Sequence, residues 1–217
     1  MPVKVGLRYI AEWRDSMEDA VLEYEREPII EGQIVFYGPS NFTRWSTKWG
    51  HTPLREVLLG KSGNPCAINR GFGSSCAEHQ LYYYSRMVRP LAPKVLVYSC
   101  FGNYSAFGYT VEENWELAER VIAYALTDFP DIHIYLCGPQ RHKADSEASI
   151  ARALKCTELG KKYAENTEGC YYLDVYNHQA LNRQDIYVAD GVHYNQLGYD
   201  IYADFFRAAL KDELDRF

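Results

Sequence analysis

The chain has 217 residues, of which 47% are hydrophobic and 24% are charged, and its formal net charge is −6. This composition is typical of a folded protein that buries its own core. The acidic balance, without any run of basic residues, argues against nucleic acid or an anionic membrane as a partner. Residues 1–8 pass quickly into charged helical sequence and contain no apolar signal-peptide core, so we expect a cytoplasmic protein.

Short apolar runs alternate with longer segments of helical periodicity, which is typical of a parallel sheet with helices on both faces. The predicted helices span residues 10–26, 77–87, 111–126, 146–164 and 199–214. The predicted strands span residues 34–37, 66–69, 95–99, 132–136 and 171–175. No repeat or linker divides the sequence. We therefore predict a single three-layer α/β/α domain over residues 1–217, with residues 1–30 as an N-terminal helical extension packed on it.

The cysteines are scattered along the chain, with no CxxC pair and no paired histidines at zinc spacing. This distribution predicts reduced thiols that are mostly buried, and we expect neither a bound metal nor a cofactor. The six positions are Cys66, Cys76, Cys100, Cys137, Cys156 and Cys170.

The residues that follow the first three predicted strands are candidates for a functional site, because chemistry in a parallel sheet gathers at the carboxyl ends of its strands. Ser40 follows the first strand, Gly73 and Ser74 lie in a loop after the second, and Asn103 follows the third. Each also has an ordinary interpretation. Ser40 can be a helix N-cap, the loop a simple turn, and Asn103 a turn residue. The loop lacks the full GxGxxG spacing, which argues against a dinucleotide site.

A carboxylate and an imidazole lie close together just before the last predicted helix. Asp190 precedes His193 by three residues. A carboxylate held against one ring nitrogen would fix the tautomer of the imidazole and stabilise the imidazolium. In the alternative interpretation, Asp190 caps the final helix and His193 is a packed loop residue.

Taken together, these residues are the parts of an acyl-transfer site. Ser40 would attack a carbonyl carbon, His193 would transfer its proton, and Asp190 would orient His193. Backbone amides and one side-chain amide would stabilise the oxyanion that forms. The oxyanion donors that we expect are the amides of Ser40 and of the loop after the second strand, with the Asn103 side chain.

At these segments the chain resembles the SGNH (GDSL-type) hydrolase superfamily, and within it the bacterial platelet-activating-factor acetylhydrolase-like esterases. The resemblance is carried by residues 34–40, 68–73, 190–195 and 198–199. It implies a flavodoxin-like sheet of five parallel strands, no metal, and serine hydrolysis of esters. The expected substrate is a small-molecule ester, in which a short acyl group such as acetyl is joined to a small alcohol or carbohydrate. A homo-oligomer is left open.

Three positions depart from the pattern of that superfamily. Pro39 replaces the usual Asp before the nucleophile, Ser74 stands at the oxyanion glycine, and Tyr104 replaces the Asp that usually follows the Asn. Pro39 leaves Ser40 in place, so we expect activity to survive that change. A backbone N–H serves as an oxyanion donor from either Gly73 or Ser74, so the donor persists if Ser74 accepts the required backbone conformation. The change at Tyr104 is expected to reshape the substrate pocket.

The sequence indicates the walls of that pocket less clearly than it indicates the triad and oxyanion residues. We expect Tyr104 and Trp45 to line it, while Trp45, Trp49 and His51 can equally be core aromatics. Two rival functions also stay open at this point. One is a catalytically inactive carbohydrate- or lipid-binding module with the same fold, and the other is a flavodoxin-like nucleotide or flavin binder.

Overall fold

A computed structural model of the chain describes residues 6–8 and 10–217. Five parallel strands form its central sheet, in the order β2-β1-β3-β4-β5. The strands are β1 (Ile34–Gly38), β2 (Ala67–Gly71), β3 (Val95–Ser99), β4 (His133–Cys137) and β5 (Cys170–Leu173). The helices are α1 (Ile10–Glu25), α2 (Ser40–Thr43), α3 (Leu54–Val57), α4 (Ala77–Met87), α5 (Val111–Asp128), α6 (Glu147–Glu165), α7 (Gln196–Ala209) and α8 (Lys211–Leu214).

The two faces of the sheet are covered by different helices. Successive strand residues point to opposite faces, so Val35 and Tyr37 pack with α1, α4, α5 and α6, whereas Ile34 and Phe36 pack with α2, α3, α7 and α8. All five residues of β1 are buried, and so are all five of β3. The predicted three-layer α/β/α fold with five parallel strands is confirmed.

The N-terminal helix α1 is fastened to the sheet and to α4. The Tyr24 hydroxyl donates a hydrogen bond of 2.7 Å to the Gly71 carbonyl at the end of β2. Arg86 of α4 pairs with both Glu18 and Glu25 of α1, each at 2.7 Å. The described part of the predicted N-terminal extension therefore packs on the sheet. The expectation about a signal-peptide core involves residues 1–5, which lie outside the described residues.

The last predicted helix begins earlier than expected and is interrupted. The side chain of Asn195 accepts a hydrogen bond from the Gly198 N–H at 3.0 Å, so α7 begins at Gln196. The chain leaves helical geometry at Leu210, a fully buried residue, and a separate turn, α8, follows. The alternative role of Asp190 as the cap of this helix is therefore wrong.

All six cysteines are buried and none is in a disulfide, as predicted. Burial raises the pKa of Cys76 to about 11. None of the described helices has the length and apolar character needed to cross a membrane.

Gly71 of β2 lies directly against the backbone of α2. A Cβ atom at this position would approach backbone atoms of Phe42 and Thr43 to less than 3.0 Å. We expect Gly71→Ala to lower the free energy of unfolding by about 1–3 kcal/mol, because backbone has to shift to admit the methyl group. Urea unfolding measures the change. Gly73→Ala, whose Cβ would meet no atom within 4 Å, is the stability control, and equal losses in the two variants would contradict the packing argument.

Candidate active site

Ser40 is placed at the carboxyl edge of the sheet by the turn that ends β1. It is the first residue of α2, and Pro39 occupies the N-cap position without a side-chain cap. The Asn69 side chain holds the other end of α2 by donating to the Phe42 carbonyl at 2.7 Å. The Ser40 hydroxyl is therefore not a helix cap, and it is hydrogen-bonded instead to Nε2 of His193 at 2.8 Å.

The loop before α7 brings an acid and a base together through local geometry. Nδ1 of His193 is hydrogen-bonded to Oδ2 of Asp190 at 2.7 Å. Oδ1 of the same carboxylate accepts the backbone N–H groups of Val192 and His193, both at 2.9 Å. Because the carboxylate accepts the Nδ1 proton, Nε2 is left as the acceptor that faces the Ser40 hydroxyl.

The electrostatics of this loop favour a charged acid beside a neutral imidazole. Burial lowers the pKa of His193 below its ordinary value, and Arg44 lowers it further, although the hydrogen bond that His193 donates to Asp190 opposes both. Burial alone would raise the pKa of Asp190, but the backbone N–H groups of His193 and Val192 and the His193 ring together hold it well below its usual range. At neutral pH, Nε2 of His193 is therefore free to take up a proton.

Backbone amides and the Asn103 side chain lie beside Ser40. Ser74 adopts a left-handed backbone conformation with φ of 61°, as does Asn103, so Ser74 accepts the geometry that usually favours glycine. The Asn103 amide donates one hydrogen bond, to the Ser75 carbonyl at 3.0 Å. An amide nitrogen carries two N–H groups, which leaves a second donor on Asn103. The Ser40 N–H begins α2 and has no partner within that helix.

Two clefts meet at this position, and both are lined by Ser40, Asn103, Val192 and His193. Cleft A has a volume of about 180 Å³. Its other walls include Tyr104, Gln140, His142, Asp145, Ser149 and Arg152. Cleft B is completed by Thr43, Arg44, Trp49, Gly73 and Ser74. All the predicted triad and oxyanion residues thus line one or both clefts, apart from Asp190, which lies behind His193.

No family model and no curated protein matches the sequence. Solved structures do match. A protein from Streptococcus pneumonia provisionally described as a platelet activating factor is 18% identical with a TM-score of 0.70, over 94% of this chain and 96% of that one. A GDSL-like lipase from Bacteroides thetaiotaomicron is 16% identical with a TM-score of 0.66, and the match covers 94% of this chain and 99% of the lipase. The chain has the SGNH hydrolase fold. An acetylxylan esterase from Geobacillus stearothermophilus is 13% identical with a TM-score of 0.65, over 87% and 99%.

Within this SGNH fold, the aromatic residues that follow Ser40 separate into core and surface. Trp45 is 1% exposed and stacks on Tyr199 and Tyr202, with ring centroids 5.5 Å apart in both pairs. It lines neither cleft, so the expected pocket role of Trp45 is wrong. Trp49 is 46% exposed and lines cleft B. The His51 ring packs against Tyr199 at 4.7 Å and lines neither cleft.

Tyr104 lies where the sequence places it, in the wall of cleft A. It is buried, and its hydroxyl contacts the Cys156 sulfur of α6 at 3.7 Å. In the described residues, no cluster of His, Cys, Asp or Glu has the number of ligands needed to hold a metal ion.

Sequence reasoning missed two parts of this site. Arg44 donates to Asp190 at 3.1 Å across 146 residues of chain, and no local pattern points to such a pair. The wall of cleft A between residues 139 and 153 was also missed. It follows strand β4, so the strand-end rule could have found it.

Proposed function

We propose that the chain is a serine esterase of the SGNH type that hydrolyses short-chain acyl esters, such as acetyl esters, of a small alcohol or carbohydrate. The observation that carries this proposal is the continuous hydrogen-bonded series from Asp190 through His193 to Ser40, with distances of 2.7 and 2.8 Å. These distances lie within the range needed for proton transfer from a nucleophile to its base. The lipase and esterase names of the structural neighbours support the same class of reaction.

In the first half of the reaction, the Ser40 oxygen attacks the ester carbonyl carbon while its proton passes to Nε2 of His193. The carbonyl oxygen becomes an oxyanion, stabilised by the N–H groups of Ser40 and of the Gly73-Ser74 loop and by the Asn103 amide. The intermediate then breaks its bond to the alcohol oxygen. His193 returns the proton to that oxygen, and the alcohol departs from an acyl group bound to Ser40.

In the second half, a water molecule repeats the attack. Nε2 of His193 takes a proton from the water as its oxygen bonds to the acyl carbon, and the same donors stabilise the second oxyanion. When the bond to the Ser40 oxygen breaks, His193 gives the proton back to Ser40. The acid product leaves, and Asp190 has held the imidazole in one tautomer throughout.

The size and lining of cleft A support a small, polar substrate. Its volume of about 180 Å³ is below the roughly 300–1,000 Å³ that is typical of pockets for drug-sized ligands. The wall away from Ser40 carries polar and charged side chains that can bind hydroxyl groups, namely Gln140, His142, Asp145, Ser149 and Arg152. These features suit the alcohol or sugar part of an ester better than a long acyl chain.

The proposed enzyme acts as one domain on a free small molecule. We propose that it needs no nucleic acid, membrane, metal or cofactor, since every group in the proposed reaction is a side chain or a backbone amide of the chain itself. Six buried, unpaired thiols suit a reducing compartment, and this supports a cytoplasmic location.

The pH dependence of hydrolysis should report His193. Because burial lowers its pKa from the ordinary value of 6.5, the imidazole loses its proton below pH 6.5. We expect kcat/KM to rise with pH, to reach half its maximum below pH 6.5, and to be constant around neutral pH. Initial rates with a p-nitrophenyl ester from pH 4.5 to 8.5 measure this. A midpoint above pH 7 would contradict the assigned environment of His193.

A labelling and turnover experiment tests the proposal as a whole. Wild-type protein and Ser40→Ala are incubated with p-nitrophenyl esters from acetyl to octanoyl, and separately with a fluorophosphonate probe followed by mass mapping. We expect turnover that is fastest with the shorter esters and labelling at Ser40, both lost in the variant. If wild-type protein shows neither turnover nor labelling, the esterase proposal fails and a non-catalytic binding module with this fold becomes the better interpretation.

A further inference from the structure

The carboxylate of Asp190 accepts more hydrogen bonds than a triad requires. Besides the three donors from its own loop, Oδ2 accepts Nη1 of Arg44 at 3.1 Å, and this is the same oxygen that is hydrogen-bonded to Nδ1 of His193. Arg44 comes from the segment that carries Ser40. It therefore joins the two parts of the site, which are far apart in sequence.

Arg44 is held both by its backbone and by its side chain. Its backbone N–H donates to the Ser40 carbonyl at 2.9 Å, which places Arg44 directly after the helical turn that Ser40 begins. Its guanidinium lies over the indole ring of Trp49 at 4.4 Å from the centroid. A planar guanidinium can stack on an aromatic face while its edge donates to a carboxylate, and a lysine ammonium cannot do both in the same way.

These contacts close a ring of four interactions. Ser40 contacts His193, His193 contacts Asp190, Asp190 contacts Arg44, and the Arg44 backbone returns to Ser40. We propose that Arg44 is a positioning residue that holds the loop of Asp190 against α2 and keeps His193 within proton-transfer distance of Ser40. This inference rests on the proposed esterase function.

Arg44 also contributes to the charge around the imidazole. The charged and titratable groups that face His193 are Asp190, Arg44 and His142. Asp190 favours the imidazolium, whereas the cation of Arg44 disfavours it. Loss of the Arg44 cation should therefore raise the pKa of His193. Loss of a contact that is only structural would not predict the direction of such a change.

Replacement of Arg44 by glutamine tests the proposal through rate and pH together. We expect Arg44→Gln to lower kcat by about tenfold with little change in KM, because His193 is less well positioned. We also expect the acid limb of the pH profile, where kcat/KM rises with pH, to move to higher pH by about 0.5 unit. The reason is that removal of a cation near the imidazolium raises the pKa of His193. Arg44→Lys keeps the charge but loses the planar contact, so the acid limb should return towards wild type while kcat stays low.

A matched control separates this effect from the general loss of an arginine. Arg89 pairs with Asp128 at 2.8 Å, lies over the Tyr84 ring at 5.6 Å and lines neither cleft. Arg89→Gln therefore removes the same kinds of contact, and we expect it to leave both kcat and the acid limb unchanged.

A measurement without substrate distinguishes failure of this inference from failure of the esterase proposal. NMR titration of the His193 imidazole should give a higher pKa in Arg44→Gln than in wild-type protein, whether or not any ester is hydrolysed. If esterase activity is present but Arg44→Gln matches wild type in kcat, acid limb and imidazole titration, the positioning role of Arg44 is wrong. If no ester is hydrolysed but the imidazole titration shifts, the contact with Asp190 stands and the catalytic proposal fails.

Discussion

Ser40→Ala and His193→Ala should each lower kcat for ester hydrolysis by about 10⁶-fold, and the double variant should be little worse than either single variant. The reason is that the serine oxygen and the imidazole act as one unit. Without the base the hydroxyl is a weak nucleophile, and without the hydroxyl the base has no proton to take. Steady-state kinetics of the three variants with the best p-nitrophenyl ester measure the effect.

A nearby serine provides the matched control for this experiment. Ser46 lies six residues after Ser40 and donates to the Thr43 carbonyl at 3.1 Å, outside both clefts. Ser46→Ala should keep wild-type kcat within a few-fold. Losses that add up in the Ser40→Ala, His193→Ala double variant would mean that the two residues act independently, and the triad assignment would then be wrong.

The second large effect is expected at Asn103. Removal of its amide should lower kcat by about 10²–10³-fold with little change in KM, because the lost donor acts mainly on the oxyanion of the transition state. Asn103 has φ of 61°, so Asn103→Ala also strains the backbone. Asn103→Gly removes the same side chain without that strain and is the better variant for kinetics.

Comparison of the two variants separates chemistry from folding. Equal losses of kcat in Asn103→Gly and Asn103→Ala, with the alanine variant the less stable of the two to urea, would support the donor role. A change confined to KM would instead make Asn103 a substrate-binding residue. Wild-type kcat in Asn103→Gly would remove it from the oxyanion site altogether.

The centre of the sheet was predictable because β1 and β3 are buried along their whole length and are therefore rich in apolar residues. The prediction for β3 matches Val95–Ser99 to the residue. The prediction for β5 ran on to Val175, which is buried in the same core but lies beyond the last residue paired with β4, Leu173. Apolar character reports burial, and it does not report where backbone pairing stops.

The candidate site was predictable where its residues follow strands or lie close together in sequence. Ser40 follows a strand, and Asp190 and His193 lie close together in sequence. The structure brings all three residues together. Which of Trp45 and Trp49 faces the core was not predictable, because a four-residue α-helix and a three-residue 3₁₀ helix are both too short to show a periodicity. Arg44 was missed because its partner is fixed by tertiary structure alone.

The wall of cleft A includes the loop after β4 and one face of α6, and these two parts differ in how they are connected to the loop that carries Asp190 and His193. In the loop after β4, Gln140 donates to the Val192 carbonyl at 2.8 Å, and the Lys143 N–H donates to the Gly191 carbonyl at 2.7 Å. Among the hydrogen bonds of the described residues, those of the Ser149 hydroxyl on α6 go to Asp145 and Ser146 instead. If the proposed esterase function holds, we expect substitutions on the cleft face of α6 to change which alcohol is accepted, with little effect on the hydrogen bonds that hold the loop of Asp190 and His193.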